Sequence, residues 1–365
     1  MKTTYLLLCL LGIGSVSGAG QTKQPQKIGD FIESTSYNEH RRNATRSLQY
    51  TPDGDDFVCI NGKNRFTRAL YGSHTAFRLE TSDRPVFAAY TKENPKHICF
   101  KLQTSGGTVA LDSTEHCESR YTAGRRSYSL SDPAFGGGSL SITTWALPDK
   151  EGAIWQFNAR NFKEFHPVLL ASISEIRNSK LNRNGDMGAD PADSFEAPLQ
   201  PQQLQSFPVQ IDGTLYILLE NQELRTLTTA EGENLFKKAE AARSETASRI
   251  RIETPDPYFN TLGGTLAMAA DGIWDGEVWL HGAIGWRMPL SGWRAAYTGD
   301  VLGWHDRART HFNAYAASQV TEVPNTLPHP AQDSALHLAR SVKKWGTPQY
   351  LSLIHISEPT RPISI

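Results

Sequence analysis

The order of periodicities along the chain predicts a β-then-α architecture: an antiparallel β-sandwich, then a linker helix, then a helical domain. Three observations carry this expectation. Short runs of β-forming residues separated by turn signals occupy the chain up to Ala230. There the apolar period changes from two to steps of three and four. Beyond it, Asp271 to Tyr315 gathers Trp274, Trp279, Trp286, Trp293 and Trp304, out of eight tryptophans in the 365-residue chain, among carboxylates, histidines and arginines.

Met1 to Gly20 has one lysine, an apolar run from Tyr5 to Ile13 and small residues before polar sequence begins. This reads as a secretory signal, too short to span a bilayer, cleaved near Gly18 to Gly20. Cys9 follows Leu8, where a lipoprotein signal would have a small residue, so a soluble periplasmic or secreted protein is expected. The formal net charge of -1, with dispersed and balanced lysines and arginines, argues against an electrostatic nucleic-acid or membrane partner. No membrane span is expected. Cys59, Cys99 and Cys117 form an odd set whose pairing stays open, and their spacing suits no zinc site.

Residues 21–230 are expected to form the sandwich. Phe57 to Ile60, Arg65 to Tyr71, Phe77 to Tyr90, His97 to Gln103 and Thr108 to Asp112 are strand-like, with turns at Asn61-Gly62, Ser82-Asp83 and Ser105 to Gly107. Leu140 to Leu147 and Ala153 to Phe162 pair across Pro148 to Gly152, with Ala153, Trp155, Phe157 and Ala159 alternating to one face. Asn182 to Asp190 (NRNGDMGAD) bears oxygen ligands but lacks the acidic spacing of a calcium loop, so it reads as a polar surface loop. Thr214 to Leu219 is the last strand expected.

Residues 231–253 hold the linker helix: Glu233 to Ile250 lacks Pro and Gly and is rich in helix formers. Residues 254–350 form the helical domain. Asp256 caps its first helix with Pro257 at the first position. Phe259, Leu262, Leu266, Ala269 and Ile273 would share one stripe, and Gly263-Gly264 implies a close backbone approach. A second helix is expected from Asp300 to about Val320, with Trp304, Ala308, Phe312 and Tyr315 on one face. A third follows Pro330, capped by Asp333. Residues 351–365 resemble a translated sequencing adapter and are expected to be a non-native tail.

Three segments, NGKNRFTRALYG (Asn61 to Gly72), FRLETSDRPVFA (Phe77 to Ala88) and above all Pro257 to Phe312, resemble a family of large secreted bacterial proteins in the six-hairpin glycosidase superfamily. The resemblance runs from about Asp56 to Tyr350. It implies an N-terminal β-sandwich, a linker helix and a catalytic (α/α)6 barrel, with glycoside hydrolysis as the activity. Twelve barrel helices of about 12 residues with about 5 of connection need roughly 200 residues, and residues 254–350 supply about half. The barrel is therefore expected to be truncated, and the fragment to expose apolar surface and lack activity by itself.

Hydrolysis needs two carboxyl groups, one protonated and one ionised. Asp300 and Asp306 are the candidate catalytic residues, Asp300 as a helix cap in the cleft and Asp306 beside a Trp304 platform. Trp274, Asp275, Glu277, Trp293, Arg294, Trp304 and His305 are the candidate substrate-binding residues: indoles stack on sugar rings and charged groups fix hydroxyls. The same residues also admit structural readings, the tryptophans as core anchors and Asp306 as a partner of Arg309 or Thr310 on the helix surface. Neither cofactor nor metal is expected; His281, His305 and His311 are too scattered for a metal cluster, and no nucleophile-elbow motif is present. The expected partner is a carbohydrate substrate. Alternatives are a polysaccharide lyase using Tyr297 or His281 with Arg294 on a uronate, and a non-catalytic glycan-binding protein.

Overall fold

A computed structural model describes residues 50–62, 66–72, 77–90, 96–148, 150–162, 167–175, 203–208, 213–280 and 292–317. The expected signal, the Asn182 to Asp190 loop, the third helix of the helical domain and the adapter-like tail lie outside them.

The first part is built of two antiparallel sheets. One has eight strands in the order β1 (Thr51–Asp53), β2 (Asp56–Ile60), β8 (His116–Thr122), β9 (Arg125–Ser131), β10 (Ser139–Ala146), β11 (Gly152–Arg160), β14 (Thr214–Glu220), β15 (Glu223–Leu227). The other runs β13 (Gln203–Pro208), β12 (Val168–Glu175), β6 (Lys96–Thr104), β5 (Val86–Tyr90), β4 (Arg78–Ser82), β3 (Phe66–Tyr71), with β7 (Gly107–Ala110) also on β6. The sandwich-like character expected from period-two runs is therefore present.

One apolar core lies between the sheets because alternate side chains of each strand point inward. On β11 the inward residues are Ala153, Trp155, Phe157 and Ala159, all fully buried. Phe87, Phe100 and Trp155 meet edge to face at 5.4–6.0 Å, a geometry favoured by the ring quadrupoles. Arg126 is also inward, stacked between Tyr50 and Tyr128 and donating to Tyr50 Oη at 2.6 Å and the Ser82 carbonyl at 2.8 Å.

Helix α1 (Thr229–Ala247) begins at a capping box in which Thr228 and Glu231 satisfy each other's backbone N–H groups. It lies on the outer face of the eight-stranded sheet, where Trp145, Tyr216, Leu218 and Leu227 pack under Leu235, Phe236 and Ala239. A Cβ on Gly232 would meet the Tyr216 ring at 2.2 Å, so glycine sets this approach. Glu240 accepts from Trp145 Nε1 at 2.8 Å and from Arg243 at 2.6 and 2.9 Å.

Helix α2 (Pro257–Gly272) is capped by Asp256, whose side chain accepts from Tyr258 N at 2.9 Å. Its buried face differs from the expected stripe. Gly263, Ala267 and Gly272 turn inward, while Phe259 and Leu266 stay 57% and 51% exposed. The reason is proximity: a Cβ on Gly264 would stand 2.9 Å from Ala123 Cβ, and one on Gly272 2.3 Å from the Tyr71 ring. Only the small-residue face of the helix can approach the sandwich so closely. Helices α3 (Gly292–Val301) and α4 (His305–Ala317) follow as a tight pair.

Candidate functional site

After α2 the chain makes a short hairpin in which Trp274 and Trp279 bridge. Asp275 builds its turn: Oδ1 accepts from Glu277 N at 3.0 Å and Val278 N at 2.8 Å, and Gly276 takes φ +97°. This side-chain-to-backbone turn is a common use of aspartate. Glu277 is half-buried beside it.

The two indoles lie 4.6 Å apart, and Trp304 joins them 6.4 Å from Trp279. With Leu302 and Ala308 they make a separate apolar cluster, in which Trp274, Trp279 and Trp304 are 4%, 3% and 7% exposed. Trp304 is flanked by guanidinium groups, Arg307 at 4.5 Å and Arg249 at 5.0 Å from its ring centre. Arg307 also reaches Trp274 at 5.7 Å and donates to Asp271 Oδ1 at 2.7 Å; the Asp271 side chain is only 5% exposed. Arg249 donates to the Leu302 carbonyl at 2.9 Å, tying the segment after α1 to the end of α3. His311 is fully buried and accepts at Nδ1 from Trp279 N at 3.1 Å, so a ring proton resides on Nε2.

Asp300 is not the cap of a helix running to Val320. It lies in the last turn of α3, which ends in a Schellman motif: Trp304 N donates to the Gly299 carbonyl at 2.8 Å and Gly303 N to the Asp300 carbonyl at 2.9 Å, with Gly303 at φ +76°. Glycine in the left-handed region stops the helix there, and α4 starts afresh at His305. The Asp300 carboxylate faces His305 Nδ1 across this break at 2.5 Å, both side chains exposed. Asp306, in the first turn of α4, is 94% exposed and pairs with Arg309 at 3.2 Å. An acidic group suits that position, where backbone N–H groups are unsatisfied.

The structure thus brings Asp300, His305 and Asp306 to one exposed corner and sets Trp304 beneath it within the buried cluster. Trp274 shares that cluster, with Asp275 and Glu277 in the adjoining turn. Neither Trp274 nor Trp304 presents an open ring face. Trp293 and Arg294 fall in the first turn of α3, with their side chains outside the described residues, as is His281. Arg307 and Arg249 were not anticipated. The spacing Trp304 to Arg307, which places both on one helix face, is the signal that would have found the former. Among the described residues, no group of three or more His, Cys, Asp or Glu is placed to hold a metal ion. No described helix is long and apolar enough to cross a membrane.

Over residues 95–249 the chain is similar to a family described as Domain of unknown function (DUF4450). The matched span runs from the start of β6 past the end of α1, less than half the chain, and stops short of the tryptophan cluster. A search of the curated proteins returns no match.

Proposed function

We propose that the chain is part of a secreted glycoside hydrolase of the six-hairpin glycosidase superfamily, with α2, α3 and α4 opening an (α/α)6 barrel. Its substrate is a polysaccharide or oligosaccharide. The observation that carries this reading is the corner at the α3–α4 break, where Asp300 and Asp306 project to solvent beside a buried tryptophan cluster. Support from packed side chains is what positioned acid and base groups require. The apolar side chains left exposed on α2 and α3, Phe259, Leu266, Tyr297 and Val301, support it further, since later barrel helices would cover such surface.

In this reading one carboxyl group of the corner takes part in acid/base chemistry and Asp275 and Glu277 stay near the sugar as turn and rim. A general acid needs a raised pKa, and burial is the usual means; the cleft that would enclose Asp306 is then formed by further helices.

One observation favours a second reading. Asp300 and Asp306 side chains are 64% and 94% exposed, which suits a non-catalytic glycan-binding surface as well as half of an active site. Reducing-end release from a panel of neutral and acidic polysaccharides, measured on the product of the whole reading frame, separates them. Turnover that falls at least a hundredfold in Asp306→Asn or Asp300→Asn supports the hydrolase. Turnover unchanged in both variants, or products carrying the ultraviolet absorbance of an unsaturated uronate, would sink it; binding with no turnover at all selects the second reading.

A further inference from the structure

Helix α1 packs on β10, β11, β14 and β15 of the eight-stranded sheet, over Trp145 and Ile154; at the other end of β10 and β11, Ser139 and Arg160 are exposed. There β8, β9, β10 and β11 form a trough of about 390 Å³. Its floor is four serines, Ser129 and Ser131 on β9 and Ser139 and Ser141 on β10; His116 stands at one side and Arg160 at the other. The register explains the arrangement: His116 pairs with Ser131, Ser141 with Ser129, and Ser139 with Arg160. Strand geometry places the serines at the corners of a patch about 4.8 Å by about 6.8 Å, comparable in size to a pyranose ring.

None of these six side chains hydrogen-bonds or ion-pairs with another described residue, whereas the polar groups around them are occupied. Asn158, also in the lining, accepts from Thr214 Oγ1 at 2.6 Å and donates to Gln156 Oε1 at 3.2 Å, and Glu118 on the same face is held by Arg120 at 2.6 Å. Among the described residues, no carboxylate lines the trough, although the chain as a whole is slightly acidic.

We propose that this trough binds an acidic sugar unit of a polysaccharide, with its carboxylate or sulfate ester on Arg160 and its hydroxyls on the serine floor. The planar guanidinium fork matches a two- or three-oxygen anion. Serine hydroxyls both donate and accept, as sugar hydroxyls do, and four of them recognise a ring where a bare anion would use only one or two. The charge is too small and local for a nucleic-acid backbone, and the described outward side chains of the trough offer no apolar centre for a protein partner. The inference does not rest on the hydrolase reading, because it concerns binding on the sandwich and is read without turnover.

The test is affinity electrophoresis of the full chain through native gels containing polygalacturonate, dextran sulfate or neutral dextran. Retardation is expected on at least one acidic polymer and not on dextran; which acidic gel retards it tells carboxylate from sulfate. Arg160→Gln is expected to weaken that retardation about tenfold or more, as loss of a charge-assisted pair should. Ser141→Val, which suits a strand and keeps the charge, should weaken it as well, while Lys237→Gln on α1 should not. Circular dichroism checks that each variant keeps the fold. The proposal is overturned by the absence of retardation on every gel, by equal retardation on dextran, or by an effect of Lys237→Gln as large as that of Arg160→Gln. Full strength in Arg160→Gln, or in Ser141→Val, overturns it too.

Discussion

His97 sits on β6 with its imidazole nearly buried, and burial, opposed only in part by the charge of Asp112, lowers its pKa from 6.5 to about 4. The unfolded chain therefore binds a proton at this site more readily than the folded one below pH 6.5. Stability from this group is complete above that pH and is lost as pH falls toward 4, by about 3 kcal/mol in total. Urea unfolding midpoints at pH 7 and pH 4.5 should differ less in His97→Gln than in the parent chain; an equal difference would refute the assignment. A second residue-scale expectation concerns Asp271, whose buried carboxylate neutralises the Arg307 guanidinium between two indoles. Truncating one partner of such a pair leaves the other charge uncompensated, so Asp271→Ala should destabilise by about 3 kcal/mol. Asp306→Ala, which breaks only an exposed pair, should lower the unfolding midpoint far less.

At the scale of elements, close approach decides more than hydrophobic stripes do. A Cβ on Gly299 would lie 2.0 Å from Trp279 Cη2, inside any allowed contact. Gly299→Ala should therefore push α3 off the tryptophan cluster and cost about 1–3 kcal/mol in urea unfolding, although alanine is the better helix former. The same logic explains what could be read beforehand. Gly263-Gly264 announced a close approach, and the Ala153-Trp155-Phe157-Ala159 alternation announced a buried strand face. The β8–β9 hairpin went unread because its outward residues are charged or hydroxylated and its inward set includes Ser119 and Arg126, so apolar alternation is weak there. The strand β15 was missed because Asn221 and Gln222, at φ 51° and 65°, make a two-residue turn without glycine. Gly303 is legible as a helix stop and Asp300 as a cap, and the left-handed backbone at Gly303, φ +76°, decides for the stop. Tryptophan density could not by itself distinguish a sugar platform from a packed cluster, since the same rings serve both, and the arginines that flank Trp304 come from α4 and from the segment after α1.

Taken whole, the described part of the molecule from Tyr50 onward is bound together by contacts that jump far along the chain. α1 lies on the eight-stranded sheet and α2 packs on α1, on β1 and on β3. Thr261 Oγ1 donates to the Gly54 carbonyl at 3.2 Å across more than two hundred residues of sequence. Sandwich and helices should therefore unfold in one transition. Far-ultraviolet and near-ultraviolet melting curves should superimpose, and two separated midpoints would show that the helices open alone.

The block formed by Trp274, Trp279 and Trp304 has an optical consequence. Trp279 lies 4.6 Å from Trp274 at a tilt of 57° and 6.4 Å from Trp304 at 38°; indoles this close should couple their excited states and give paired circular-dichroism bands of opposite sign that isolated tryptophans lack. The molecule carries its own gauge of whether the corner bearing Asp300 and Asp306 is assembled. Trp304→Phe should remove one coupling and Trp274→Phe the other, so the difference spectra assign the bands without any label. Addition of an oligosaccharide that altered them would report, from inside the fold, that the corner had been engaged.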